Sequence, residues 1–249
     1  MKKQKITGIL VLTLLVVLLA SCKPEQLDDC FTSTGSLTTE ERSPGFYNRI
    51  SLNDNVNLVL VAGNQPKIKV EAGKNLLKAI KTIVSDSTLE IRNTMKCNWV
   101  RNYKKEITVY ATAPALKEIR YESSGDVSTT GQLAVDSLEF NIWGGSGTIE
   151  LDLNTENLKL ALHYGTTDLH VKGKSIITTI FANSYGPFYC NELISNIVYI
   201  RNSGTNNCYV YARHILEVEI TSVGSIYYAG DPFQLKSYIS GSGKLIRME

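Results

Sequence analysis

The chain has 249 residues, with 26 Lys and Arg against 24 Asp and Glu and a formal net charge of +2. Its positive charges are scattered, and the clustered basic footprint that grips phosphates is missing, so a nucleic-acid partner is not expected. With 43% apolar residues, the chain can build a core for one elongated or two small domains.

The N-terminus reads as an address. Lys2, Lys3 and Lys5 form a basic region, Ile9 to Leu19 is apolar apart from Thr13, and small residues follow at Ala20-Ser21. The segment is short of the roughly 20 apolar residues that span a bilayer and fits a secretory signal, residues 1–21. Leu19-Ala20-Ser21-Cys22 resembles a bacterial lipobox, in which the Cys is lipidated and becomes the first residue after cleavage. Acyl chains on Cys22 would hold the mature protein at a membrane without a transmembrane helix. Lys23, where an Asp would argue for inner-membrane retention, favours the outer membrane, on its periplasmic or cell-surface face. Losing the three lysines takes the formal charge from +2 to −1. Residues 22–40, with the acidic run Glu25 to Asp29, read as a tether, and residues 41–249 as one folded domain.

From about Thr32 to Arg120 the sequence is β-rich but irregular. Alternation marks strands at Val56-Leu58-Leu60, Ile68-Val70, Leu89-Ile91 and Ile107-Val109, and Asn75 to Ile80 reads as one or two helical turns. Cys30 in the tether and Cys97 in a polar loop are candidates for a disulfide that staples the tether to the body, because an exported protein meets oxidising conditions.

From Ser124 to Gly243 a Ser/Gly turn phrase recurs between alternating apolar strands. Anchoring each copy two positions before the next strand gives Gly125, Gly147, Thr167, Gly186, Gly204, Gly224 and Gly243, at intervals of 22, 20, 19, 18, 20 and 19. The slot two residues on reads Val127, Ile149, Leu169, Phe188, Asn206, Ile226 and Leu245, apolar in all but one copy. A period near 20 with like residues in like slots points to a single-stranded parallel β-helix, an all-β solenoid in which each strand pairs with its equivalent one coil away. Glycine suits the corners because positive φ is cheap there. The ends of such a rod are sticky edges, and Lys244 with Arg247 to Glu249 would discourage further pairing. Cys190 and Cys208, each four residues after a turn glycine, would share a slot about 4.8 Å apart, which leaves a disulfide or two reduced core thiols both open.

Several phrases in this order carry a resemblance. They are the lipobox, Arg42-Ser43-Pro44-Gly45-Phe46, Leu89-Glu90-Ile91, Thr112-Ala113-Pro114-Ala115-Leu116, and Ser-Gly turns ending in Tyr228-Ala229-Gly230-Asp231-Pro232. Together they resemble the putative auto-transporter adhesin, head GIN domain family over residues 40–249. The resemblance implies a bacterial envelope protein with a parallel β-helix, for which adhesion is suggested and no enzymatic activity established.

Catalytic chemistry is sparse. Glu150, Asp152, Asp168 and His170 fall at outward positions on neighbouring coils, as a carbohydrate-cleaving site would need, but also as any solvated strand face requires. The histidines lack zinc-ligand spacing, and no metal or cofactor is expected. Tyrosines concentrate in the C-terminal half, and Tyr185, Tyr189, Tyr209 and Tyr227 are candidates for a surface that binds a glycan or a protein through flat ring faces and polar tips. The expected function is non-enzymatic adhesion or surface binding, with a glycan-binding or polysaccharide-processing β-helix as the alternative.

Overall fold

The structure, a computed structural model, describes residues 33–95 and 106–249. The first half contributes β1 (Leu37–Arg42), β2 (Arg49–Asp54), β3 (Asn57–Val61), β4 (Lys67–Gly73), β5 (Ile80–Ser85), β6 (Thr88–Asn93), β7 (Thr108–Thr112), β8 (Glu118–Ser123) and β9 (Val127–Thr130). The second half contributes β10 (Leu133–Trp143), β11 (Thr148–Tyr164), β12 (Asp168–Ala182), β13 (Phe188–Asn202), β14 (Cys208–Ile220), β15 (Ile226–Ala229), β16 (Gln234–Ile239) and β17 (Leu245–Arg247). A single 3-10 turn, Leu77–Ala79, lies inside the stretch expected to be helical.

These strands form a parallel β-solenoid of about six turns, spaced roughly 20 residues apart. In β11 the buried positions run Leu151, Leu153, Thr155, then shift phase to Leu158, Leu160, Leu162, with Glu156 and Asn157 both facing out. Two consecutive outward residues mark a corner, since alternation holds only along a straight strand. The same slip recurs in β12, between buried Ser175 and Thr178, and in β13, between buried Ser195 and Val198. Each of β11 to β14 therefore serves two walls: its first half joins a front wall and its second half a back wall.

The less regular first half belongs to the same solenoid, with its coils out of sequential order. The coil made by β2 and β3 lies between β6–β7 on one side and β8–β9 on the other, all in parallel register. At that end the stack is closed by reversed strands: β5 pairs antiparallel with β6, β4 with β7, and β1 with β4. Leu76, Leu77 and Met95 are buried there.

The register corrects one anchor. Phe188 pairs with Cys208, and Cys208 with Ile226, so the equivalent of Gly186 is Asn206 rather than Gly204. The inward front-wall column is then Val127, Ile149, Leu169, Phe188, Cys208, Ile226 and Leu245, apolar throughout. All but the last of these residues are at most 1% exposed, and each large side chain so buried contributes roughly 1.5–3 kcal/mol. The shift also separates the cysteines: Cys190 pairs with Val210, and both Cys190 and Cys208 are free, buried thiols rather than slot neighbours. Cys22, Cys30 and Cys97 lie outside the described residues.

The reason for the corner glycines also changes. Gly125, Gly147, Gly186, Gly224 and Gly243 do not have positive φ; that conformation belongs to other turn glycines such as Gly144 and Gly165. A Cβ on Gly186 would instead collide with the carbonyl oxygen of Thr167, one coil back, and one on Gly243 with that of Gly224. Stacked corners pass too close for a side chain, which is the second use of glycine.

Candidate functional site: an aromatic ladder on the front wall

The residue after each core position of the front wall faces outward. Correct registration makes this column Ser128, Glu150, His170, Tyr189, Tyr209, Tyr227 and Ile246. Four successive coils thus place rings directly over one another. The ring centroids of His170 and Tyr189 are 4.6 Å apart, those of Tyr189 and Tyr209 5.3 Å, and those of Tyr209 and Tyr227 4.9 Å, with interplanar angles of 24°, 13° and 16°. The spacing follows the strand separation of about 4.8 Å, so the backbone stack imposes the ring stack.

This geometry revises what the surface offers. Near-parallel rings about 5 Å apart cover one another's faces, and solvent meets a row of ring edges with the phenol hydroxyls at their tips. The surface is an amphipathic rail that donates and accepts hydrogen bonds along one line, rather than a series of flat platforms. Three of the four candidate tyrosines are brought together here. Tyr185 is not among them: it is 62% exposed in the turn before β13, where its carbonyl accepts a hydrogen bond from the Asn206 side chain.

Beside the ladder runs a groove of about 340 Å³, lined by Glu150, Asp152, His170, Lys172, Tyr189 and Glu192 among others. Asp152 stands opposite Lys172, and Lys172 opposite Glu192, so acid, base and acid alternate across three coils. The Asp152 carboxylate accepts from Gln132 Nε2 at 3.1 Å, while its backbone N–H donates to Thr129 Oγ1 at 3.0 Å. Glu150 and His170 are lateral neighbours, whereas Asp168 lies two residues away, opposite Thr148. Among the described residues, no group of three or more His, Cys, Asp or Glu is placed to hold a metal ion.

The back wall carries a second aromatic row that the sequence reading missed. Trp143 stacks on His163 at 3.6 Å and 11°, and His163 tilts against Phe181 at 6.1 Å. Arg120 lies 5.3 Å from the Trp143 ring and Arg201 5.9 Å from that of Phe181. Burial, and then the positive charges of Lys159 and Arg120, hold His163 below the usual histidine range. Glu139 is pulled below the ordinary carboxylate range by hydrogen bonds from Lys159, at 2.6 Å, and then Asn141. The available signal was the 20-residue separation of Trp143 and His163, one coil. Both arginines are already engaged, Arg120 with Glu122 at 2.5 Å and Arg201 with Glu219 at 3.6 Å. This row is therefore tied up in contacts within the protein, whereas the front ladder turns its ring tips outward.

Solved structures with the same architecture include proteins from Bacteroides and Parabacteroides species. A putative adhesin from Bacteroides fragilis superposes with a TM-score of 0.75 at 22% identity, covering 86% of this chain and 97% of that one. A putative lipid binding protein from Parabacteroides distasonis gives 0.65 at 22% identity, over 87% and 98%. A putative adhesin from Parabacteroides merdae gives 0.58 at 16% identity, also over 87% and 98%. At these identities the likeness is one of fold. No curated protein matches the chain. The family model described as putative auto-transporter adhesin, head GIN domain, matches residues 46–232, most of the sequence and most of the solenoid, and the chain belongs to that family.

Proposed function

We propose that the protein is a non-enzymatic lipoprotein of the cell envelope, held at the outer membrane through Cys22, that binds surface partners through the front-wall ladder. The observation that carries this reading is the outward-facing stack of His170, Tyr189, Tyr209 and Tyr227 beside a polar groove. Tyrosine at such a surface combines contact area with a hydrogen-bonding tip at low entropic cost. Membership of an adhesin family and the N-terminal lipobox agree with it. A glycan or a polar protein segment suits the groove better than an acyl chain, because Glu150, Asp152, Lys172 and Glu192 would have to lose water to a ligand that offers no hydrogen bonds.

Residues 23–249 on a glycan array and on immobilised envelope and matrix proteins should bind a defined subset, and Tyr189→Ala with Tyr209→Ala should abolish that binding. Unchanged binding by the double variant would remove the ladder from the function. The alternative, polysaccharide processing, draws on Glu150 and His170 as lateral neighbours in the groove. Release of reducing ends from an array-positive polysaccharide, lost in Glu150→Gln, would favour it. For the anchor, Cys22→Ala should move the protein out of the membrane fraction, and retention there would contradict lipidation.

A further inference from the structure

The two ends of the solenoid are built differently. The end near β6 and β7 is covered by reversed strands and by Leu76, Leu77 and Met95, whereas at the other end no described strand lies over β16 and β17. Among the described residues, β16 pairs only with β14, and β17 only with β15. One coil back, Leu216 and Ile220 are 0% exposed; their equivalents in β16, Leu235 and Ile239, are 41% and 44% exposed. They continue the core columns, and no described strand is laid over them. Two of the charges at this end are engaged within the protomer, Lys236 with Glu217 at 2.9 Å and Arg247 with Asp231 at 3.1 Å.

We propose that this open end is a homodimer interface, in which β16 pairs antiparallel with β16 of a second copy about a two-fold axis through Ser237. The free backbone groups decide the register. Ser240 N–H donates to Ile220 O. Alternation along the strand then turns Lys236 and Tyr238 toward β14 and leaves the N–H and C=O of Leu235, Ser237 and Ile239 facing outward. An antiparallel partner centred on Ser237 opposes Leu235 to Ile239 of the other copy, Ser237 to itself, and Ile239 to Leu235. All three are hydrogen-bonded pairs, so the outward groups are satisfied while the apolar side chains of the two open layers meet. On the outer face Lys236 falls opposite Tyr238, a cation over a ring. Centring one residue earlier would place Lys236 opposite itself, which like-charge repulsion disfavours.

The cross-section of a coil, about 20 Å of strand by two walls about 10 Å apart with their outer side chains, gives roughly 500 Å² per copy. The total of about 1,000 Å² lies at the lower bound for a specific interface and fits a dissociation constant in the micromolar range. A perpendicular two-fold keeps the front walls continuous and brings two ladders onto one face, so a multivalent partner would gain avidity.

Sedimentation of residues 23–249 between about 1 and 200 µM should show a monomer–dimer equilibrium, and Leu235→Lys should weaken it at least tenfold. Leu235 is exposed in the protomer, so the variant should keep the wild-type far-UV spectrum and melting temperature. Ser237→Cys should form an intermolecular disulfide on mild oxidation, because residues opposed in a hydrogen-bonded antiparallel pair stand about 5.5 Å apart at Cα. Lys236→Cys, displaced to a diagonal of about 8 Å, should not. A monomer throughout the range, a dimer indifferent to Leu235→Lys, or cross-linking at 236 in preference to 237 would each overturn the proposal.

Discussion

Replacing Tyr209 by alanine tests whether the ladder exists in solution. Tyr209 is the one tyrosine with a tyrosine stacked on either side, at 5.3 Å and 4.9 Å. Two such contacts contribute about 1–3 kcal/mol beyond burial. The ring is half-buried, and about 100 Å² of hidden apolar area adds roughly 2 kcal/mol. The variant should therefore be destabilised by about 3–5 kcal/mol. Tyr185→Ala, which removes a ring exposed in a turn, should cost within about 0.5 kcal/mol. Tyr227→Ala loses one tyrosine stack and should fall between them. Equilibrium unfolding in guanidinium, with a double-mutant cycle on Tyr189 and Tyr209, measures all three and isolates the stacking energy. If Tyr209→Ala costs no more than Tyr185→Ala, the rings do not stack as described, and both the rail and its ligand lose their basis.

Four further outcomes follow from buried polar groups, the core thiols and a crowded glycine. Asn202 is fully buried; its Oδ1 accepts from Gly204 N–H and its Nδ2 donates to Asn206 O, both at 3.0 Å, so Asn202→Ala should strand the corner's polar groups and cost about 1–3 kcal/mol, read as a lowered melting temperature. Burial pushes the Cys190 thiol up to about 12 and raises Cys208 as well, so neither should react with a thiol reagent near pH 8 until the protein is unfolded. With folded values raised above an unfolded value of about 8.5, their contribution to stability is present below pH 8.5 and lost as pH rises. Between pH about 8.5 and 10, before buried Tyr47 and Tyr121 add the same effect, the melting temperature should fall more steeply than in a Cys190→Val, Cys208→Val variant. Gly173, at φ 109° with the carbonyl of Leu153 where a Cβ would sit, should tolerate no side chain, and Gly173→Ala should lower the melting temperature more than Gly131→Ala, where φ is 75° but the surroundings are open.

The solenoid was legible because its period is written in apolar slots: Val127, Ile149, Leu169, Phe188 and Ile226 stack as the spacing requires. The misregistered copy announced itself, since Asn206 was the single polar residue in an apolar column and Cys208, two residues on, restores it. Glycine misled because it serves both positive-φ turn positions and close-packed corners, and Gly204 is packed against the Ser184 carbonyl without being the equivalent of Gly186. That two-residue error also hid the ladder, by separating Tyr209 from Tyr189 and Tyr227. The order of the first coils was not legible at all. Alternation in Leu58-Leu60 or Leu89-Ile91 marks strands, but which strand lies beside which depends on contacts distant in sequence, and β2 inserts between β6 and β8.

Binding measured face by face is the most direct test of the function. Biolayer interferometry with the partner selected by the array should show at least tenfold weaker binding for Tyr209→Phe, which keeps the stack and removes one tip hydroxyl, or for Tyr189→Ala. Tyr199→Ala, which alters an exposed ring on the back wall, should leave affinity unchanged. Equal affinity for the front-wall variants and the wild type, or loss confined to Tyr199→Ala, would contradict a binding role for the ladder.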